Sequence, residues 1–389
     1  MARSSRPCGA LGGLVLTVLV ACSAPAPAGP TAPAPAAPAA QAPAPPANAP
    51  AAQAAAQPPA SPALQALVDG ARQEGRLEVT SSAWDDAEHM QRIVSGFNKA
   101  YGLSLDVHLA VGPNMAEMAN RMIQELQAGR PAASDVMLGS ETNIAAMVQA
   151  NALEPVDWAS WSLNVRDPRL VAADGAAVEM TTRVQGIVYQ SQKISGSLVP
   201  TSMQDLLKPE YKGRIGSTPY ASGFVSLGAS ELWGEERTVA YMRQFVDQLA
   251  GLIGCGEGTR IVSGEFDVLA LACGDERIGG LKTAPLGFAI PSDAAMLGYW
   301  YVGVPTHSAH PNAARLFADY MLSREAQDLW YEYLSMDHHL VAGSKIAPEI
   351  ERLKAQGVPF TETDVDFVMR NSASMNKARP ELVRLLQQR

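Results

Sequence analysis

The 389-residue sequence has only four cysteines and six histidines, and it lacks the short motifs that announce most enzymes. No Gly-x-Ser-x-Gly occurs, which argues against a nucleophile elbow, and no His-Glu-x-x-His, which argues against a zincin. There is no Gly-Lys dipeptide for a phosphate-binding P-loop and no Cys-x-x-Cys for redox or metal chemistry. Positive charge is scarce as well: 30 Lys+Arg against 39 Asp+Glu give a net charge of −9, which offers a nucleic-acid backbone no attraction. After the N-terminus no apolar run is long enough to span a bilayer. No repeat of 20 to 50 residues is visible, which excludes solenoids and propellers. What remains is 47% hydrophobic and 18% charged, enough for two ordinary domains with real cores.

The N-terminus sets the compartment. Arg3 and Arg6 precede a short apolar run from Leu11 to Val20, and Leu19-Val20-Ala21-Cys22 looks like the lipobox of bacterial lipoproteins. Residues 1–21 are therefore expected to be a signal peptide, with Cys22 the lipidated first residue. Its removal leaves 28 basic against 39 acidic residues, a net −11. Residues 23–62 hold 13 Pro and 19 Ala and no charge, so 22–62 reads as a lipidated cysteine followed by a tether. That composition cannot offset the entropy of ordering and is biased to extended polyproline II. Of the remaining cysteines, Cys255 and Cys273 are 18 positions apart in an oxidising compartment. A disulfide is the expectation, and two unrelated buried thiols the alternative.

From residue 63 onward the pattern alternates strand and helix. Strands at 77–80, 103–109 and 135–138 are each followed by a helix, the first closed by Gly102, the second opened by Asn114 with Glu117, the third by Ser140. Met115, Met118 and Met122 read as core. Three βα units in sequence imply a parallel, doubly wound sheet. Strand-like runs at 177–182 and 184–190 flank Arg183, a helix begins at Ser202, and a strand at 214–217 leads to a helix from Ser222. An amphipathic helix is expected over 235–250, a short helix from Thr259, and strands at 266–272, 285–290 and 297–304. His310-Pro311 and Ser323 each open a helix.

In such sheets ligands gather at the carboxyl ends of the strands. Those ends carry Ser81, Ser82 and Trp84; Asn114; Ser140 and Glu141; and, before the Ser222 helix, Tyr220, Ser222 and Gly223. Helix N-termini there present free N–H groups and partial positive charge, while each hydroxyl taken singly is more often a simple cap. Arg183 is the candidate counter-charge. Among the aromatics, Trp84, Tyr220, Phe224, Trp300 and Tyr301 line a cleft or pack in the core. Residues 254–258 form a glycine-rich turn without dinucleotide spacing. His307, His310, His338 and His339 include no pair at i, i+4, so no metal site, no cofactor and no catalytic residue is assigned.

Three stretches carry a family resemblance. Leu67 to Arg76, Leu206 to Ile215 (Leu-Leu-Lys-Pro-Glu-Tyr-Lys-Gly-Arg-Ile) and His310 to Gln327 resemble, in order, the extracellular solute-binding proteins of ABC importers. The closest group looks like the class that includes ferric-iron, thiamine, polyamine and phosphonate binders. The resemblance implies an α/β, periplasmic-binding-protein-like (type II) fold: two doubly wound lobes with a ligand cleft between them. It divides the chain into lobe I at 63–183, lobe II at 184–289 and a return to lobe I at 290–389, with the last helices assigned to neither. The partners it implies are a small polar or anionic solute and a membrane permease, with the membrane itself reached through the lipid; a monomer is expected. Iron-binding members resemble one another in an adjacent tyrosine pair, which is absent here: Tyr299-Trp300-Tyr301 and Tyr331-Glu332-Tyr333 are interrupted. Rival readings are an iron or iron-complex binder of the same family, and a sensor or enzyme on the same scaffold.

Overall fold

Local start and stop signals place the first elements. Ser61 accepts the Leu64 N–H and Pro62 opens α1 (Pro62–Glu74), which ends at Gly75 in the left-handed region. The computed structural model describes residues 61–388 except 84–85, 255–256, 258 and 272–283, and of Ser222 only the backbone. The expected signal peptide, Cys22, the expected tether up to Ala60, Trp84, Cys255 and Cys273 thus lie outside the described residues.

The chain continues with β1 (Arg76–Ser81), α2 (Ala87–Tyr101), β2 (Asp106–Val111), α3 (Met115–Gln127), β3 (Met137–Ser140) and α4 (Glu141–Gln149). Then follow β4 (Val171–Ala172), β5 (Ala177–Gln185), β6 (Ile187–Gln190), β7 (Ile215–Ser217), α5 (Ser222–Leu227), α6 (Gly234–Phe245), β8 (Leu249–Leu252), α7 (Thr259–Val262), β9 (Val268–Ala270) and β10 (Leu286–Ala289). The last elements are β11 (Met296–Gly303), α8 (Pro311–Met321), α9 (Arg324–Leu334), α10 (Ala347–Ala355), β12 (Thr361–Thr363) and α11 (Val365–Gln387).

β1 and β2 pair in parallel, as three successive βα units require. The sheets as wholes are mixed, not parallel. β3 runs antiparallel to β11, which is antiparallel to β5 and parallel to β12. β1 is joined to this sheet through the residues before β3: Asp135 N–H donates to Glu78 O at 2.7 Å, and Thr80 N–H to Ser134 Oγ at 3.0 Å. The second sheet has the order β10-β6-β9-β7-β8, with β7 parallel to β8 and β9 and the other pairs antiparallel. The antiparallel members are the strands that leave one sheet for the other. β5 lies in the first sheet and β6 in the second, with only Gly186 between them; the return runs from β10 to β11 through residues 290–295. Sheet membership changes after Gln185, since β5 runs unbroken through Arg183.

Two further elements differ from the sequence reading. The helix expected from Ser202 is a pair of 3-10 turns, Gln204–Leu207 and Pro209–Tyr211, because Pro209 leaves too few residues for a stable helix. The helix expected to reach Ala250 ends at Phe245, and Leu249 pairs with Ile215 in the second sheet instead. Ladder pairing and burial outweigh helix propensity there.

One hydrophobic core holds Leu67, Leu77, Ile93, Phe97, Phe317 and Trp330 under the first sheet. A second runs without a break from Met118, Met122 and Ile144 to Phe224, Met242 and Phe245. α11 belongs to this second core and packs against α4, α5 and α6. It begins directly after β12 of the first sheet, yet further along its side chains make polar contacts with the second lobe. Asn371 Nδ2 donates to Glu231 Oε1 at 2.8 Å, Ser230 Oγ donates to Asn371 Oδ1 at 2.8 Å, and Arg370 pairs with Glu231 at 3.2 Å. The end of the chain is thus a third link between the lobes.

Candidate functional site

The carboxyl ends of β1, β2 and β3 carry side chains that first of all terminate or start elements. Ser81 is buried and its Oγ accepts the Ala83 N–H at 3.2 Å, while Ser82 is exposed. Asn114 caps α3, its Oδ1 accepting the Glu117 N–H at 3.0 Å. Ser140 opens α4: its N–H donates to Asn143 Oδ1 at 3.2 Å, and its Oγ lies 3.1 Å from Thr142 Oγ1. In the second lobe the turn after β7 holds Tyr220, which is 50% exposed, then Ala221 at φ 55°, Ser222 as the first residue of α5, and the buried Gly223. Phe224, Tyr301 and Tyr299 are fully buried core residues and Trp300 is partly buried, so of the described aromatics considered for the cleft only Tyr220 stands open to solvent.

Arg183 and Glu141 meet although they are 42 residues apart. Arg183 Nη2 donates to Glu141 Oε1 at 3.0 Å and Oε2 at 2.8 Å, and both side chains are buried. A guanidinium and a carboxylate withdrawn from water are tolerable because each answers the other. Beside them Gln185 occupies the crossing itself. It is buried, and among the described residues its Oε1 has no hydrogen-bond partner. Its neighbours leave space only because they lack side chains: a Cβ on Gly298 of β11 would come 2.9 Å from Arg183 Nη2 and 3.2 Å from Gln185 Nε2, and one on Gly223 would strike Gln185 Oε1. The start of α5, the end of β5 and the middle of β11 therefore converge on one carboxamide.

The same two strands, β5 and β11, also carry members of a buried polar chain. Leu340 N–H donates to His338 Nδ1 at 3.2 Å, which leaves the proton on Nε2, and Nε2 lies 2.9 Å from Glu179 Oε2. Tyr301 OH donates to Glu179 Oε1 at 3.3 Å and accepts the Val365 N–H at 3.2 Å, at the first residue of α11. Burial holds His338 neutral, its pKa pulled down to about 3, and pushes Glu179 up to about 8. Among the described residues no three His, Cys, Asp or Glu side chains are grouped to hold a metal ion.

Sequence reasoning singled out Arg183 and passed over Gln185. Gln185 had a signal, standing two residues after Arg183 on the same face of a strand.

Residues 92–337 match the family model of bacterial extracellular solute-binding proteins. An Fe(3+)-binding periplasmic protein of Serratia marcescens is 24% identical over 277 residues, 68% of this chain and 80% of that protein. Among solved structures, a substrate-binding protein of an ABC transporter from Agrobacterium tumefaciens superposes with a TM-score of 0.62 at 16% identity, over 80% of this chain and 97% of that one. A ferric binding protein from Campylobacter jejuni does so with a TM-score of 0.59 at 17% identity, over 80% and 98%.

Proposed function

Because the chain belongs to the bacterial extracellular solute-binding proteins, the binding components of ABC transporters, we propose that it captures a small polar or anionic solute between its two lobes and presents it to a membrane permease. The observation that carries this reading is the convergence at the crossing. Helices α4 and α5 start on different lobes at the ends of β3 and β7, and the buried Gln185 lies against the start of α5 one residue before the chain changes sheets. Such a junction can grip a ligand when the lobes close and release it when they part. Ser81, Ser82, Asn114, Ser140, Tyr220, Ser222 and Gly223 are the first-line contacts in this proposal, and Trp84, outside the described residues, remains a candidate from the sequence. The protein works extracytoplasmically as a monomer held to the membrane by a lipid on Cys22, the Pro/Ala tether giving it reach, and it performs no catalysis.

The Serratia relative favours a second reading, ferric iron or an iron complex. The interrupted tyrosines speak for an organic solute. Thermal unfolding of the full chain against ferric citrate, thiamine, polyamines, phosphonates, sugar phosphates and small carboxylates separates the two. A cognate solute at about 1,000 times its dissociation constant adds roughly 4 kcal/mol, a shift of a few degrees. A saturable shift for one organic class is expected; a shift for ferric citrate that citrate alone does not reproduce would replace it with iron.

A further inference from the structure

β5 turns polar as it nears the crossing. Thr181, Arg183 and Gln185 alternate along it and so share one face, opposite Trp300, Gly298 and Met296 of β11, and all three are buried. Arg183 reaches Glu141 from this face. The Thr181 hydroxyl and the Gln185 Oε1 have no hydrogen-bond partner among the described residues. Thr181 lies in mid-strand, whereas Gln185 is the last residue of β5, with Gly186 the single step to the second sheet. Only 3% of Gln185 is exposed. Room for its carboxamide is kept by two glycines from different sides of the crossing, Gly298 of β11 and Gly223 at the start of α5, where any Cβ would crowd Nε2 or strike Oε1.

Packing does not account for a glutamine at this point. Val184 and Ile187 on either side of it fill the core as apolar residues, and a carboxamide withdrawn from water without a partner costs stability that a methionine of the same length would not. The unanswered atom is an acceptor, so the group that completes it is a donor; a carboxylate, a phosphate dianion or a hydrocarbon set against it leaves it unanswered. We propose that Gln185 is a specificity-determining residue of the solute site, its Oε1 accepting a hydrogen bond from a hydroxyl or N–H group of the captured solute at the crossing between the lobes. Parting of the lobes draws Gly223 and the start of α5 away from Oε1 and uncovers it, and the absence of a side chain at Gly223 leaves space for the solute on closure. The proposal rests on the solute-binding reading above and deepens it: whatever else the solute carries, it presents a donor at this point.

The test follows thermal unfolding of the full wild-type chain and of Gln185→Met against pairs of probes that carry the same charge and differ in their donors. The pairs are citrate and tricarballylate, glycerol 3-phosphate and propyl phosphate, 2-hydroxyethylphosphonate and ethylphosphonate, and putrescine and its bis(trimethylammonium) analogue. Without solute, Gln185→Met should unfold at the wild-type temperature or above. At least one donor-bearing probe should stabilise the wild type saturably, with its donor-free partner bound about ten- to a hundredfold more weakly. In Gln185→Met that gap should close to about threefold or less, through loss of affinity for the donor-bearing member. A solute-free Gln185→Met that unfolds several degrees lower would make the residue structural and overturn the proposal, as would a gap that the substitution leaves unchanged. A wild type that binds both members of a pair equally would overturn it too, while leaving the solute-binding reading in place. Indifference of the wild type to every probe would likewise overturn it, and a saturable shift with another solute of the panel above would then keep the solute-binding reading alone.

Discussion

Glu141 and Arg183 decide how the junction between the lobes tolerates charge. Each meets the other in a buried, two-pronged contact, so removal of one takes a charge-assisted partner from the other. Glu141→Gln is expected to lower stability by about 3–5 kcal/mol, whereas Glu141→Gln combined with Arg183→Met should recover a good part of that loss. Urea unfolding midpoints of the three variants check it, and additive losses would show that the pair is not coupled. Buried titratable groups set the response to pH. His89, stacked on Tyr333 at 4.4 Å, is pulled down to about 4 by burial, and His338 to about 3. A histidine whose pKa is lower in the folded state contributes stability that is present above its ordinary value of about 6.5 and is lost as pH falls through the folded value. Glu179, pushed up to about 8, works in the other direction: its contribution is present below about pH 4.5 and is lost as pH rises through 8. Stability should thus fall on both flanks, by about 2–3 kcal/mol from His89 alone on the acid side. His89→Phe should flatten the acid limb of a stability–pH curve and leave the alkaline limb unchanged, and Glu179→Gln should do the reverse. An acid limb that survives in His89→Phe at full steepness would assign the effect elsewhere.

At the scale of elements, the crossing from β5 to β6 and the docking of α11 do most to define the molecule. Gly186 is the single residue between two strands of different sheets. A Cβ there would strike the Phe288 ring and come 2.7 Å from the Ala289 carbonyl, a backbone atom that cannot swing away. Gly186→Ala should therefore cost about 1–3 kcal/mol and shift solute affinity as well, because the strain falls on the link between the lobes. Unfolding midpoints with and without solute would show both effects; a neutral substitution would mean that β10 yields at that point. Much of each element was legible in the sequence. Asn114, Ser140, Ser323 and the closing Gly102 mark helix ends because caps act over three or four residues, whereas Ser61 and Pro62, read as the end of the tether, cap and open α1. The helix expected to run to Ala250 was misjudged because its last turn is claimed by a strand partner more than thirty residues earlier, Ile215, which no local pattern announces.

At the scale of the whole molecule, the two sheets are linked at Gly186, at residues 290–295 and at the step from β12 into α11. Solute binding should draw the lobes together about these links, so that small-angle scattering of the full chain shows a smaller radius of gyration with saturating solute than without. An unchanged radius alongside a clear thermal shift would mean that the solute binds without closure. The sequence by itself determined the order and type of most elements, the two-lobed class through its ordered family stretches, and the hydroxyl-bearing helix starts at the strand ends. These depend on periodicity and capping, which act between residues a few positions apart. Only the tertiary structure decided that the sheets are mixed, that Arg183 is matched by Glu141, and that Gln185 keeps a polar group unanswered among the described residues. Whether a buried charge or carbonyl is matched depends on which distant segments the fold brings within about 3 Å of it. The residues adjacent to it in the chain carry no record of that pairing.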